Sequence, residues 1–185
     1  KSILAGGTDI YPGAGPRLAG PVVDVMGLPE LAGLSSRKGL RIGATTTWTA
    51  IAEASLPAAL FGLQRAARQV GGRQIQNAGT IGGNLCNASP AADGAVALMA
   101  LDAEVELQSA VGQRRLSLAK FLLGPRRTAL RTDELLTAVL IPDSALAGRS
   151  DFVKLGARSH LVISIAMAAA RIATARGKVT EAAIA

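Results

Sequence analysis

Short apolar runs broken by glycine and proline alternate along this chain with longer stretches in which apolar residues recur every third or fourth position. That alternation predicts strands and helices intermixed, and no fixed-period repeat emerges. Ile3 to Ala5 reads as a short strand stopped by Gly6-Gly7, Val22 to Val25 as a buried strand, and Leu40 to Ile42 as another. A Thr-capped helix is predicted from Thr47 to Ala54. Pro57 opens a second helix, whose Leu60, Leu63, Ala67 and Val70 share one face and which stops at Gly71-Gly72. Pro90 marks the start of a third helix running to about Ala100, before a strand from Ala103 to Leu107. "RRLSLAKFLLG" (114–124) gives a strand or a short helix. "DELLTAVLIP" (133–142) gives a strand ended by Pro142, and "DFVKLGAR" (151–158) another. "SIAMAAARIATA" (164–175) is apolar on most faces and predicts a helix, with strand the alternative for its second half. Between the last two strands, "DSALAGRS" (143–150) is small and polar and reads as a linker.

Composition narrows the class. Of 185 residues, 49% are hydrophobic and 18% charged, enough to bury a core and too apolar for a disordered chain. Aromatics are only 3%, which argues against base-stacking recognition of single-stranded nucleic acid. The net charge of +7 suits an anionic partner, but no helix-turn-helix, RRM or OB signature accompanies the arginines of "GQRR" and "GPRRTALR". The expectation is therefore no nucleic acid. One cysteine excludes a disulfide framework and a cysteine-based metal cluster, and points to a reducing, cytoplasmic setting. The longest apolar run, Leu161 to Ala170, is shorter than the roughly 18 residues that cross a bilayer, so no membrane partner is expected.

Candidate chemistry lies in two glycine turns, "AGGTD" (5–9) and "GTIGGN" (79–84), the second inside "NAGTIGGNLCNASPAAD" (77–93). Without a β-carbon the backbone takes positive φ and approaches a ligand closely, so that successive N–H groups converge on an anion. Two turns can cradle the two anionic groups of a diphosphate, with Thr8, Thr80 and Asn84 beside them; either turn alone is equally well a tight connection between strands. Neither a P-loop nor a G-x-G-x-x-G opening a helix is present, so the ligand is expected on turns and not on one helix N-terminus. Cys86 reads as a buried small residue, His160 as a surface or capping residue, and Trp48 and Tyr11 as packing aromatics. Asp9 either caps its own turn or touches the ligand.

"ILAGGTDI", "GGRQIQNAGTIGGNLCNASPAAD", "DELLTAVLIP" and "FVKLGAR", in that order, resemble the FAD-binding subunit or middle domain of the molybdenum hydroxylases, which include the xanthine dehydrogenases and aerobic carbon monoxide dehydrogenase. The resemblance covers nearly the whole chain. It implies an α+β, two-subdomain PCMH-type FAD-binding fold over residues 1–143, a linker at 144–150, and the start of a small α/β C-terminal domain at 151–185. It also implies that the segment before the first glycine loop is missing. By resemblance, Ile3, Leu4, Ala5, Gly6, Gly7, Thr8, Asp9 and Ile10 form the first FAD loop. Gly79, Thr80, Ile81, Gly82, Gly83 and Asn84 form the second, and Asp93 matches an acid on ribose or ribityl hydroxyls. Val70 and Leu136 fall where apolar residues flank the cofactor, and Lys154 and Arg158 match a basic pair near the flavin ring. Val162 stands where the family often carries an acid.

The implied activity is electron transfer by an oxidoreductase subunit. A large molybdopterin subunit oxidises substrate, a small 2Fe-2S subunit relays electrons, and FAD on this chain passes them to NAD⁺ or another acceptor. No residue of this chain is expected to be catalytic or to ligate metal; molybdopterin and iron–sulfur clusters belong to the partners. Two readings from other classes stay open: a stand-alone PCMH-type flavin oxidoreductase, and a non-enzymatic module binding a nucleotide or partner.

Overall fold

The computed structural model describes residues 2–15, 17–18, 20–36, 38–158 and 161–185. In chain order the elements are β1 (Ser2–Leu4), β2 (Val22–Asp24), β3 (Leu34–Ser36), β4 (Leu40–Gly43), α1 (Trp48–Glu53), α2 (Phe61–Gln69), α3 (Arg73–Ala78), α4 (Ile81–Asn87) and α5 (Asp93–Met99). They continue with β5 (Glu104–Ser109), β6 (Gly112–Ser117), α6 (Leu118–Phe121), β7 (Leu122–Gly124), β8 (Arg127–Thr128), β9 (Leu135–Ile141), β10 (Arg149–Leu155), β11 (Ala166–Ala175) and β12 (Lys178–Ile184).

Helices and strands intermix as the pattern predicts, and the fold is α+β. An antiparallel sheet of order β3-β4-β9-β5-β6 forms the main platform. β1 and β2 make a small parallel pair, β7 and β8 a hairpin, and β10-β11-β12 a three-stranded antiparallel sheet. One apolar core joins the five-stranded sheet, the helices packed on it and the β10-β11-β12 sheet. Ile42, Trp48, Ile51, Leu63, Ile81, Leu85, Leu98, Val105, Val139 and Phe152 are all at most 1% exposed and belong to the same cluster. Among the described residues no helix is long and apolar enough to cross a membrane.

Local chemistry explains most boundaries. Thr47 caps α1 by accepting the Ala50 amide, and α2 ends before Gly71, whose φ of +56° a side chain disfavours. Pro142 stops β9. Beyond it, Asp143–Leu146 turns with Ala145 buried, and Gly148 packs under the Ile172 carbonyl, leading directly into β10.

Four expectations are corrected. The 164–175 stretch is a strand, not a helix: a period of two sends Ala169, Arg171 and Ala173 inward, and pairing to β10 and β12 overrides alanine's helix propensity. β2 is largely exposed, with Val23 at 41%, and only Val25 beyond it is buried. Pro90 precedes its helix by a turn, since α5 starts at Asp93. The second glycine turn is not a loop between strands but a two-residue step from α3 into α4. His160 lies outside the described residues.

Candidate functional site

The two glycine turns meet. A β-carbon on Gly6 would stand 1.7 Å from the Ala78 carbonyl oxygen, so a side chain at Gly6 would push the turns apart. Gly7 has φ +69°, and its carbonyl closes the turn by accepting the Ile10 amide at 3.1 Å and the Tyr11 amide at 2.9 Å. No described residue accepts a hydrogen bond from the amides of Ala5, Gly6, Gly7, Thr8 or Asp9. Consecutive amides left in this way around a glycine of positive φ form a concavity suited to an anion.

The second turn is built differently. Thr80 caps α4 by accepting the Gly83 amide at 3.1 Å. The amides of Ile81 and Gly82 go to the carbonyls of Thr46 and Ala44, at 3.0 and 2.9 Å, and the Trp48 amide returns to Gly79 at 3.1 Å. Residues 79–82 are thus stitched to the segment entering α1. The expectation of a ligand held on turns alone is corrected: this wall is the start of a helix, and its first amides are already engaged. Its glycines serve proximity. A β-carbon on Gly82 would touch Ala44 at 2.8 Å, whereas one on exposed Gly83 would meet only the Thr80 hydroxyl within 4 Å.

Between the turns lies a groove of about 290 Å³. Of the residues expected to hold cofactor, Ile3, Ala5, Gly6, Gly7, Thr8, Asp9, Ile10, Val70, Gly79, Thr80, Gly82, Gly83, Asn84 and Leu136 line it. Leu4 and Ile81 are buried behind its walls and do not line it. The sequence reading missed its floor, Ala44, Thr45 and Trp48, and the wall residues Ile75, Leu130, Glu134 and Leu135. Asn84 Oδ1 is buried without a hydrogen-bond partner among the described residues. Cys86, expected to be buried, is exposed on this wall. Desolvation by the protein around it still pushes its thiol up to about 11, so the thiol is neutral at physiological pH.

A second, more polar hollow of about 600 Å³ lies on the other side of the Val70–Gly71 turn, lined by Arg68, Gln69, Gly71, Gly72, Gln76, Lys154, Leu155, Gly156, Arg158, Leu161 and Val162. Here the structure brings together Asp93 and Lys154. The Lys154 ammonium donates to Asp93 Oδ2 at 2.7 Å and to the Gln69 carbonyl at 3.2 Å, and the Ser164 hydroxyl donates to Asp93 Oδ1 at 2.5 Å. Both charged side chains are nine-tenths buried. Arg158 is exposed and donates twice to the Leu161 carbonyl. Lys154 and Arg158 therefore line this hollow and not the groove between the glycine turns, and Asp93 lines neither.

Two acids line the first groove, Asp9 on the first turn and Glu134, and Glu134 is held by an arginine. Arg114 on β6 donates Nε to Oε1 at 2.5 Å and Nη2 to Oε2 at 2.7 Å, and the Arg131 amide donates to Oε2 at 2.9 Å. The Arg114 guanidinium holds the Glu134 carboxyl at about 2, below the usual carboxylate range, and Glu134 in turn raises Arg114. Among the described residues no group of three or more His, Cys, Asp or Glu is arranged to hold a metal.

The family model described as the FAD binding domain in molybdopterin dehydrogenase matches residues 1–144. The chain is 40% identical over 171 residues to the nicotinate dehydrogenase FAD-subunit of Eubacterium barkeri, covering 89% of this chain and 58% of that one. It is 38% identical over 124 residues to the xanthine dehydrogenase FAD-binding subunit of Escherichia coli O157:H7, covering 65% and 42%. Among solved structures, reconstituted CO dehydrogenase from Oligotropha carboxidovorans superposes with a TM-score of 0.89 at 32% identity, covering 99% of this chain and 65% of that chain. The chain spans about half the length of the curated relatives it matches.

Proposed function

The chain belongs to the family of FAD-binding domains of molybdopterin dehydrogenases, and from that membership we propose that it holds FAD along the two hollows with the diphosphate between the glycine turns. One observation carries this reading: a run of amides at residues 5–9, without acceptors among the described residues, faces across a groove a helix start whose Gly83 leaves open space. Amides of that kind suit an oxyanion, and bare glycine lets a phosphate come close. Asn84 Oδ1 is a buried acceptor in want of a donor, which a cofactor hydroxyl supplies. In this reading Ile3, Leu4, Ala5, Gly6, Gly7, Thr8, Asp9 and Ile10 form one FAD loop, and Gly79 to Asn84 the other.

Val70 and Leu136 would flank the cofactor, and the second hollow, with Lys154 and Arg158, would take the ring end. Lys154 is neutralised by Asp93 in the structure, so its service to the cofactor is as an oriented N–H donor on a fixed frame. Asp93 reaches the cofactor hydroxyls only with oxygens that also serve Lys154 and Ser164.

When bound, the isoalloxazine accepts and releases electrons, and the protein supplies binding, orientation and electrostatics. The chain would act as the oxidoreductase flavoprotein subunit beside a large molybdopterin subunit and a small 2Fe-2S subunit, passing electrons to NAD⁺ or another acceptor. The proposed division is an FAD-binding unit at 1–143 and a further unit beginning at 151. The test is purification of the full-length protein with its neighbours. One FAD per chain, with molybdopterin and iron–sulfur subunits co-purifying, supports the proposal; a colourless protein that takes up no FAD overturns it.

A further inference from the structure

Resting on the FAD reading of the groove, we propose that Arg114, outside the groove, is a positioning residue that holds the 129–136 wall in shape and cancels the charge that wall would otherwise present to an anionic cofactor. Arg114 belongs to β6 and does not line the groove, whereas Glu134 does, with its side chain only 5% exposed. The guanidinium spans both carboxylate oxygens in a fork, and its Nη2 also donates to the Ala129 carbonyl at 2.8 Å. The Arg131 amide completes the set from the other side. One arginine therefore fixes both ends of the loop, Ala129 and Glu134, between which Leu130 projects to the groove and after which Leu135 and Leu136 follow. Planar bidentate geometry gives this pairing a direction that a lysine does not reproduce.

Charge adds to geometry at this wall. A bare carboxylate on the wall of a groove that takes an anionic cofactor repels its ligand. Arg114 removes that repulsion while its own bulk stays behind the wall.

The test uses full-length protein and measures the FAD dissociation constant and the melting temperature for Arg114→Lys, Arg114→Met and the double variant Arg114→Met/Glu134→Gln. Arg114→Met is expected to weaken FAD at least about tenfold, the lower end of what supporting partners contribute at metal sites. Part of that loss should return in high salt, because one component is charge repulsion. Arg114→Lys should fall between. The double variant leaves no lone charge, so it should melt within a few degrees of wild type while still binding FAD more weakly; it keeps the test intact should Arg114→Met fold poorly. Wild-type FAD affinity in the double variant, or a loss without salt dependence in Arg114→Met, overturns the proposal and leaves the FAD reading standing. A wild-type protein that binds no FAD overturns both.

Discussion

Gly6 lies so close to Ala78 that a single added methyl would stand 1.7 Å from its carbonyl oxygen. The two glycine turns, far apart in sequence, are therefore one packed object, and Gly6 is glycine for that contact before any ligand enters. Gly6→Ala should lower stability by about 1–3 kcal/mol, as overpacking does. Gly13, with nothing within 4 Å of an added methyl, is the control. Gly13→Ala should melt like wild type. Thermal or urea unfolding of the two variants checks the difference.

Gly83 separates binding from folding. A β-carbon there meets only the Thr80 hydroxyl, at 2.9 Å, on a residue that lines the groove. Gly83→Val should fold, at a cost of about 1 kcal/mol from the disturbed helix cap, and should retain little flavin. Circular dichroism with the flavin content of the purified protein reads both quantities.

The buried Asp93–Lys154 pair ties the start of α5 to β10, and Lys154 lines the second hollow. Lys154→Met strands a buried carboxylate and should cost about 3–5 kcal/mol. Adding Asp93→Asn should recover much of that loss. A double-mutant cycle in urea measures the coupling, and strict additivity would contradict the pairing.

Glu134 gives the chain an acid-sensitive contact. Its carboxyl sits at about 2 in the folded chain, below its ordinary 4.5, because Arg114 and the Arg131 amide favour the ionised form. Its stabilising contribution is therefore complete above pH 4.5 and is lost as pH falls toward 2. Melting temperatures across that window should drop more steeply for wild type than for Glu134→Gln. Parallel curves would contradict the assignment.

Much of this was legible in the sequence, because caps and turn residues act locally. Thr47 caps α1, Pro142 ends β9, and Gly71 ends α2. The motif order also identified most of the groove lining. What escaped depends on tertiary register. Two adjacent glycines argue against a helix, yet α4 forms because Thr80 caps it and Gly82 must lie against Ala44. Alanines 168–170 favour a helix in isolation, and only neighbouring strands make them β11. Arg171, fully buried there, donates to the Ala100 carbonyl, Asp102 and Glu181, partners that no spacing rule connects. The ion pair of Lys154 with Asp93 and the fork of Arg114 on Glu134 are invisible for the same reason.

We propose that the backbone amides at residues 5–9, to which no described residue offers an acceptor, close on the cofactor's diphosphate. Hydrogen–deuterium exchange of the full-length protein, without and with saturating FAD, tests it most directly. Residues 5–9 should exchange fast without FAD and become markedly protected when it binds, with the start of α4 slow in both conditions because its amides are already engaged. FAD bound with exchange at residues 5–9 unchanged would contradict it.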